Sequence, residues 1–144
     1  MDRFKVITSS YVLLVLPKEN KILLSKRFQT GYQDGNYSLP AGHIEDNETL
    51  RQALVREAKE EIGIDVKIPD VNLVHVMHRK EKDIRVDFFF TVSSYQGVPK
   101  NCEPERCSKI IWSEMDQLPT NTIPYIKQAI SCFQKGIFYS EIGW

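Results

Sequence analysis

The segment Glu48 to Ile62 of this 144-residue chain has the periodicity of a helix but carries glutamates where a helix needs apolar residues. Asn47 as N-cap, Glu48 in the first turn and Gly63 just past the end predict a helix over Glu48–Ile62. With Leu50 at zero and about 100° per residue, Leu54 falls at about 40°, Ala58 at about 80° and Ala53 at about 300°. On the same wheel Glu57 lies at about 340°, Glu60 at about 280° and Glu61 at about 20°. Gln52 and Lys59, at about 200° and 180°, supply an ordinary outer face, so the three glutamates are not on it.

Carboxylates at i, i+3 and i+4 repel one another, and partial burial adds a desolvation cost. Something cationic should compensate. Arg56, at about 240°, is displaced from the centre of the cluster, and one guanidinium cannot neutralise three anions. A hard divalent cation can: Mg²⁺ takes a few carboxylates and keeps waters or phosphates in its remaining positions. The competing reading is a solvated set of glutamates paired with lysines such as Lys59.

Around this helix, runs rich in β-branched and aromatic residues predict strands at Val6–Leu16, Lys21–Arg27, Val71–His78, Ile84–Val92 and Ile110–Trp112. A second helix follows Leu118-Pro119-Thr120, with Asn121 as its N-cap candidate and Pro124 in its first turn. Its stripe is Ile123, Ile126, Ala129, Ile130 and Phe133, and it ends at Gly136. Strands and helices interleave without regular βαβ alternation, which predicts an α/β or α+β sandwich built on a mixed sheet. The length suits one domain over residues 1–144.

Nineteen Lys plus Arg balance nineteen Asp plus Glu. Zero net charge argues against a duplex nucleic-acid binder or a membrane-surface protein held by a global basic field. Cys102, Cys107 and Cys132 are odd in number and lack C-x-x-C spacing, so a reducing, cytoplasmic setting is expected. No apolar run is long enough to span a bilayer, and Met1-Asp2-Arg3-Phe4-Lys5 does not open a signal peptide.

The stretch Gly42-His43-Ile44-Glu45-Asp46-Asn47-Glu48, seven further residues, and Arg56-Glu57-Ala58-Lys59-Glu60-Glu61-Ile62-Gly63-Ile64 resembles the Nudix box, G-x5-E-x7-R-E-U-x-E-E-x-G-U, with U a bulky apolar residue. Every fixed position is present; Ala58, small for a U position, is a departure that bears on packing. Leu39-Pro40-Ala41, Trp112 and Glu103-Pro104-Glu105-Arg106-Cys107 are similar to the MutT-like nucleoside triphosphate pyrophosphohydrolases of that family. The resemblance implies a mixed β-sheet sandwiched between α-helices, with the box at 42–64 forming a metal-binding loop-helix-loop.

It also implies roles. Glu57, Glu60 and Glu61 would be catalytic metal ligands, Glu57 also a candidate general base, and the Gly42 carbonyl a further ligand. Glu103 or Glu105 would supply an additional carboxylate. Glu48 and Arg56 would form a structural pair orienting the helix. By the same resemblance Asn121 would read a base, against its N-cap role; from its own place at the strand end, just before the Gly31–Ser38 loop, Arg27 is expected to grip phosphate through its planar donor fork, against the alternative of a strand-end surface arginine. Tyr32, Tyr37, Arg79, Asp87 and Phe89 are pocket candidates whose orientation alternation leaves open, and His43, His75 and His78 receive no role. The implied cofactor is Mg²⁺, with Mn²⁺ as a substitute. The implied partner is a nucleotide, with neither duplex nucleic acid nor membrane; monomer and homodimer both stay open. The implied reaction converts a nucleoside triphosphate to monophosphate and pyrophosphate. Hydrolysis of ADP-ribose or another nucleotide sugar, and a non-catalytic nucleotide-binding module, are the alternatives.

Overall fold

The N-terminal apolar run divides between two sheets. In the computed structural model, which describes residues 2–144, it breaks at Leu14 into β1 (Ile7–Leu13) and β2 (Val15–Leu16). The remaining strands are β3 (Lys21–Arg27), β4 (Tyr37–Ser38), β5 (Ala41–His43), β6 (Val71–Lys80), β7 (Ile84–Val92), β8 (Cys107–Glu114) and β9 (Tyr139–Ile142). The helices are α1 (Leu50–Ile62) and α2 (Pro124–Gln134). One mixed sheet has the order β5-β1-β7-β6-β9, with β1 parallel to β7 and β6 parallel to β9. In the other, β3 pairs with β8 along its length, and with β2 and then β4 on its other edge.

The apolar run Tyr11–Leu14, at the end of β1 and just past it, has a direct cause: both faces of the chain are covered there. Tyr11 and Leu13 join a core with Tyr125, Ile126, Ala129 and Ile130 of α2. Val12 and Leu14 join a second core with Leu54, Ala58 and Ile62 of α1. β3 divides in the same way, with Ile22 and Leu24 on the α2 side and Leu23 on the α1 side. The expected sandwich of mixed sheet between helices is therefore what forms. Ala58 is fully buried against this second core, where a larger side chain would have to displace Leu54 or Ile62.

Several boundaries differ from the sequence expectation. α1 begins at Leu50, and its N-cap is Thr49, not Asn47. The Thr49 hydroxyl accepts from Gln52 N (3.1 Å) while Gln52 Oε1 accepts from Thr49 N (2.9 Å), a reciprocal capping box that Asn47 cannot match. Asn47 instead takes φ = 61° in the preceding turn, which leaves Glu48 outside the helix. Ile123 occupies the N-cap position of α2, so Asn121 is not its cap. β9 was not expected, since Tyr-Ser-Glu-Ile is short and mixed. The fully buried His75 ring holds the segment, with Nδ1 2.8 Å from Ile137 O and Nε2 2.8 Å from Ser140 Oγ. Among the described residues no helix is long and apolar enough to cross a membrane.

Candidate active site

α1 packs Ala53, Leu54, Ala58 and Ile62 into the core, and that anchoring fixes where its carboxylates go. Glu57, Glu60 and Glu61 all line a cleft of about 660 Å³, together with Gly42 of β5 and Glu103 from the loop before β8. The volume is that of a small-molecule site. The Glu57 side chain is only 13% exposed, whereas that of Glu60 is 53% exposed, so the cluster runs from the interior to the rim. Glu61 Oε2 accepts from Ala41 N at 2.8 Å. Gly42 lies so close to Glu57 that a Cβ on it would stand 2.0 Å from the Glu57 carboxyl carbon. Only glycine permits that approach of backbone to carboxylate.

The electrostatics confirm a site rich in negative charge. Burial pushes the Glu61 carboxyl well above the usual range, and the Glu57 charge adds to it. Burial likewise raises Glu57, against the lowering effect of the Arg56 bond, with Glu60 and Glu103 adding repulsion. Burial raises Glu103 against the opposing charge of Arg106, with the charges of Glu105 and Glu60 adding to the rise. Glu105 itself is exposed and does not line the cleft.

Arg56 reaches further into the cluster than the wheel suggests. Its Nε lies 2.8 Å from Glu48 Oε2, and its Nη1 lies 2.6 Å from Glu57 Oε1 and 3.3 Å from Glu60 Oε2. Its length explains this: the wheel locates Cα positions, and the guanidinium swings several ångströms from its own. The Arg56 bonds hold the Glu48 carboxyl down at about 2. Lys59 pairs with Asp65 (3.0 Å) instead of with the cluster, so the solvated-pair reading of the glutamates does not hold.

The other walls carry cations. Arg27 lines the cleft at the end of β3, but its Nε and Nη2 are engaged with Tyr32 O (2.7 Å) and Thr30 Oγ1 (3.0 Å), so it also shapes the loop between β3 and β4. Lys26 and Arg106 line the cleft too, and neither is in an ion pair among the described residues. In the sequence the one signal for them is the adjacency of Lys26 to Arg27 at a strand end. Asn121 is absent from the lining, and its Nδ2 donates to Gly35 O at 2.8 Å, tying the β3–β4 loop.

Of the five pocket candidates, Tyr32 and Arg79 line the cleft, while Tyr37 and Phe89 belong to the α2-side core. Asp87 is fully buried beneath Arg79, which its carboxylate receives at 2.7 Å through Nε. The Arg79 guanidinium also lies 3.7 Å from the Tyr125 ring centre and 2.8 Å from Glu81 Oε1. A buried arginine held by two carboxylates and an aromatic face is rigid, and it forms a fixed wall of the cleft.

Gly42, Glu57, Glu60, Glu61 and Glu103 fit a hard divalent cation. The donor set is all oxygen, and burial keeps the Glu57 and Glu61 carboxyls above the usual range in spite of Arg56 and Arg27 nearby. Among the described residues no three His, Cys, Asp or Glu side chains are placed to hold a metal ion together, and Arg56 Nη1 occupies Glu57 Oε1 and reaches Glu60 Oε2.

Residues 7–131 match the model of the NUDIX domain. The chain is 41% identical over 66 residues to an 8-oxo-dGTP diphosphatase of Proteus vulgaris, a match covering 46% of this chain and 57% of that protein. It is 39% identical over 71 residues to an ADP-ribose pyrophosphatase of Methanocaldococcus jannaschii, covering 49% of this chain and 40% of that one. The chain thus spans about half the length of these curated relatives. A crystal structure of a MutT NUDIX hydrolase from Burkholderia pseudomallei superposes with a TM-score of 0.79 at 24% identity, over 88% of this chain and 97% of that one, which shows the shared fold.

Proposed function

Since this chain belongs to the NUDIX domain family, we propose that it is a pyrophosphohydrolase that splits a nucleoside triphosphate into nucleoside monophosphate and pyrophosphate. The observation that carries this reading is the meeting, in one cleft, of the carboxylates of Glu57, Glu61 and Glu103 with Lys26 and Arg106, cations that are in no ion pair among the described residues. A phosphoanhydride needs both signs: cations to receive its oxygens, and carboxylates to hold a divalent ion and take a proton.

Gly42 O, Glu57, Glu60, Glu61 and Glu103 would hold Mg²⁺, or Mn²⁺ in its place. When bound, the ion supplies charge screening for the phosphates and a lowered pKa for water. Glu48 and Arg56 anchor the loop ahead of α1 to the helix that presents the glutamates. Lys26, Arg27 and Arg106 bind phosphate oxygens and orient the chain of phosphates along the cleft. Glu57 Oε1 is taken by Arg56, which leaves Oε2 to face either the cation or the proton of the attacking water. The water oxygen forms the new P–O bond as the anhydride P–O bond breaks.

The likeness to an ADP-ribose pyrophosphatase supports a second reading, in which the same carboxylates act on ADP-ribose or another nucleotide sugar. A panel of nucleoside triphosphates and nucleotide sugars with Mg²⁺ or Mn²⁺, followed by product analysis, separates the two. Pyrophosphate with monophosphate is expected; sugar phosphate without pyrophosphate would replace the first reading by the second. Inactivity of the parent protein across the panel, alongside measurable nucleotide binding, would make it a binding module.

A further inference from the structure

α1 ends against the segment that leads into β8, and one side chain at that contact reaches in two directions. Lys100 N donates to Ile62 O and Cys102 N donates to Glu61 O, each at 3.0 Å, so two of the carbonyls left open at the C-terminus of α1 are taken by the residues on either side of Asn101. The Asn101 backbone is thereby fixed to the helix that carries Glu57, Glu60 and Glu61. From that base Asn101 Oδ1 accepts from Glu103 N at 3.1 Å, and Nδ2 donates to Cys107 O at 2.7 Å. An asparagine that accepts from the backbone two residues on sets the direction of the chain there.

Between those two anchor points lies a turn that puts Glu103 in the cleft. Arg106 N and Cys107 N both donate to Glu103 O at 2.9 Å, which closes residues 103–107 on themselves, and Phe28 N donates to Arg106 O at 3.0 Å, which ties them to the chain beyond β3. These bonds fix the turn internally and to one wall, and none of them relates it to α1. Among the described residues the two Asn101 bonds are the only hydrogen bonds that run from residues 100–102 to residues 103–107. Glu103 therefore follows directly on the amide that holds the Glu61 carbonyl, has its own amide held by Asn101, and lies near enough for its charge to act on the Glu61 carboxyl. A set of ligands works only when its members are held to within about 0.5 Å of one another's required places.

We propose that Asn101 is a positioning residue, whose amide sets the Glu103 carboxylate in register with the carboxylates of α1 so that they can engage one divalent cation together. The proposal rests on the place given to Glu103 in the cation site of the nucleotide-hydrolase reading above. Asn101 itself does not line the cleft, so it acts through Glu103 and not by contact with cation or substrate.

A double-variant cycle tests this on Mn²⁺ binding to the protein without nucleotide, followed by electron paramagnetic resonance. Glu103→Gln should raise the Kd for Mn²⁺ about tenfold or more, and Asn101→Ala about tenfold, the low end of what loss of a group that orients a ligand costs. In the Glu103→Gln background, Asn101→Ala should cost less than about twofold further. An equal loss with and without Glu103 would mean that Asn101 acts through the fold at large, and an unchanged Kd in Asn101→Ala that it positions nothing; either overturns the proposal. An unchanged Kd in Glu103→Gln overturns it together with the place of Glu103 in the cation site. Where thermal melting shows that Asn101→Ala does not fold, Asn101→Asp takes its place in the cycle. That variant keeps an acceptor for Glu103 N and loses the bond to Cys107 O, and its added charge is present in both backgrounds and cancels. A loss of about threefold confined to the protein with Glu103 is then expected, and the same loss in both backgrounds, or none, overturns the proposal. A parent that binds Mn²⁺ but hydrolyses no nucleotide overturns the hydrolase reading alone, and the cycle still decides the role of Asn101.

Discussion

Arg56 holds Glu48 by two bonds, Nε to Oε2 at 2.8 Å and Nη2 to Oε1 at 3.0 Å, and so pins the turn before α1 to the helix interior. The pair is fixed by chemistry on both sides, because Glu48 Oε1 also accepts from Glu45 N at 3.0 Å. The Arg56 bonds come first among the causes that bring the Glu48 carboxyl from 4.5 to about 2, with the Glu45 N–H next. A carboxyl whose folded pKa is depressed stabilises the fold fully above its unfolded value, and that contribution is lost as pH falls from about 4.5 toward 2. Acid unfolding followed by circular dichroism should therefore be less steep in that window for Glu48→Gln than for the parent. Equal slopes would remove Glu48 from the account.

Gly42→Ala would place a methyl carbon 2.0 Å from the Glu57 carboxyl carbon, an overlap that only movement of Glu57 or of β5 can relieve. On the proposal that Glu57 is a metal ligand, displacing it by about 1 Å is enough to lower turnover on the order of a hundredfold. The expected result is a folded protein, with a melting temperature lowered by a few degrees, whose Mg²⁺-dependent hydrolysis falls by that factor. Hydrolysis within about twofold of the parent would mean that Glu57 is not held where the geometry places it.

Glu61→Gln separates the cost of the carboxylate cluster from its use. Glu61 is buried beside Glu57 and has Ala41 N as its hydrogen-bond donor, which a glutamine oxygen can still accept from. Removing the charge therefore relieves repulsion while keeping the bond. Without divalent cation, the variant should melt at a temperature equal to or higher than the parent, by roughly 3 °C where the relief is about 1 kcal/mol. With Mg²⁺, its thermal stabilisation should be smaller than that of the parent and its activity lost. A variant destabilised without metal, but stabilised by Mg²⁺ like the parent, would contradict the assignment of Glu61 as a ligand.

The legible and illegible parts of this fold divide by the range of the interactions involved. The glutamates of α1 could be read because a 3.6-residue period is a local property, and the core residues Leu54 and Ala58 define the same face. Thr49 and Asn47, two residues apart, are both good caps, and only Gln52 at the third helical position decides between them. β9 depends on His75, more than sixty residues away, and no pattern within Tyr139–Ile142 announces that partner. Arg79 was recognisable as a strand residue but not as a cleft wall, since its burial needs Asp87 from the neighbouring strand and Tyr125 from α2.

Asn121 offers the sharpest contrast between a reading from resemblance and one from geometry. If it read a nucleobase, Asn121→Ala would alter the preference among bases. Its Nδ2 instead donates to Gly35 O at 2.8 Å, at the root of the loop that carries Tyr32, and Gly35 N in turn donates to Arg27 O at 2.8 Å. Truncation should therefore loosen the loop and act on every nucleotide alike. A lost neutral hydrogen bond of about 1 kcal/mol corresponds to about a fivefold rise in KM. Steady-state kinetics on four nucleoside triphosphates should show that rise with their rank order unchanged. A reordering of the four, with loop hydrogen exchange as in the parent, would restore the base-reading role.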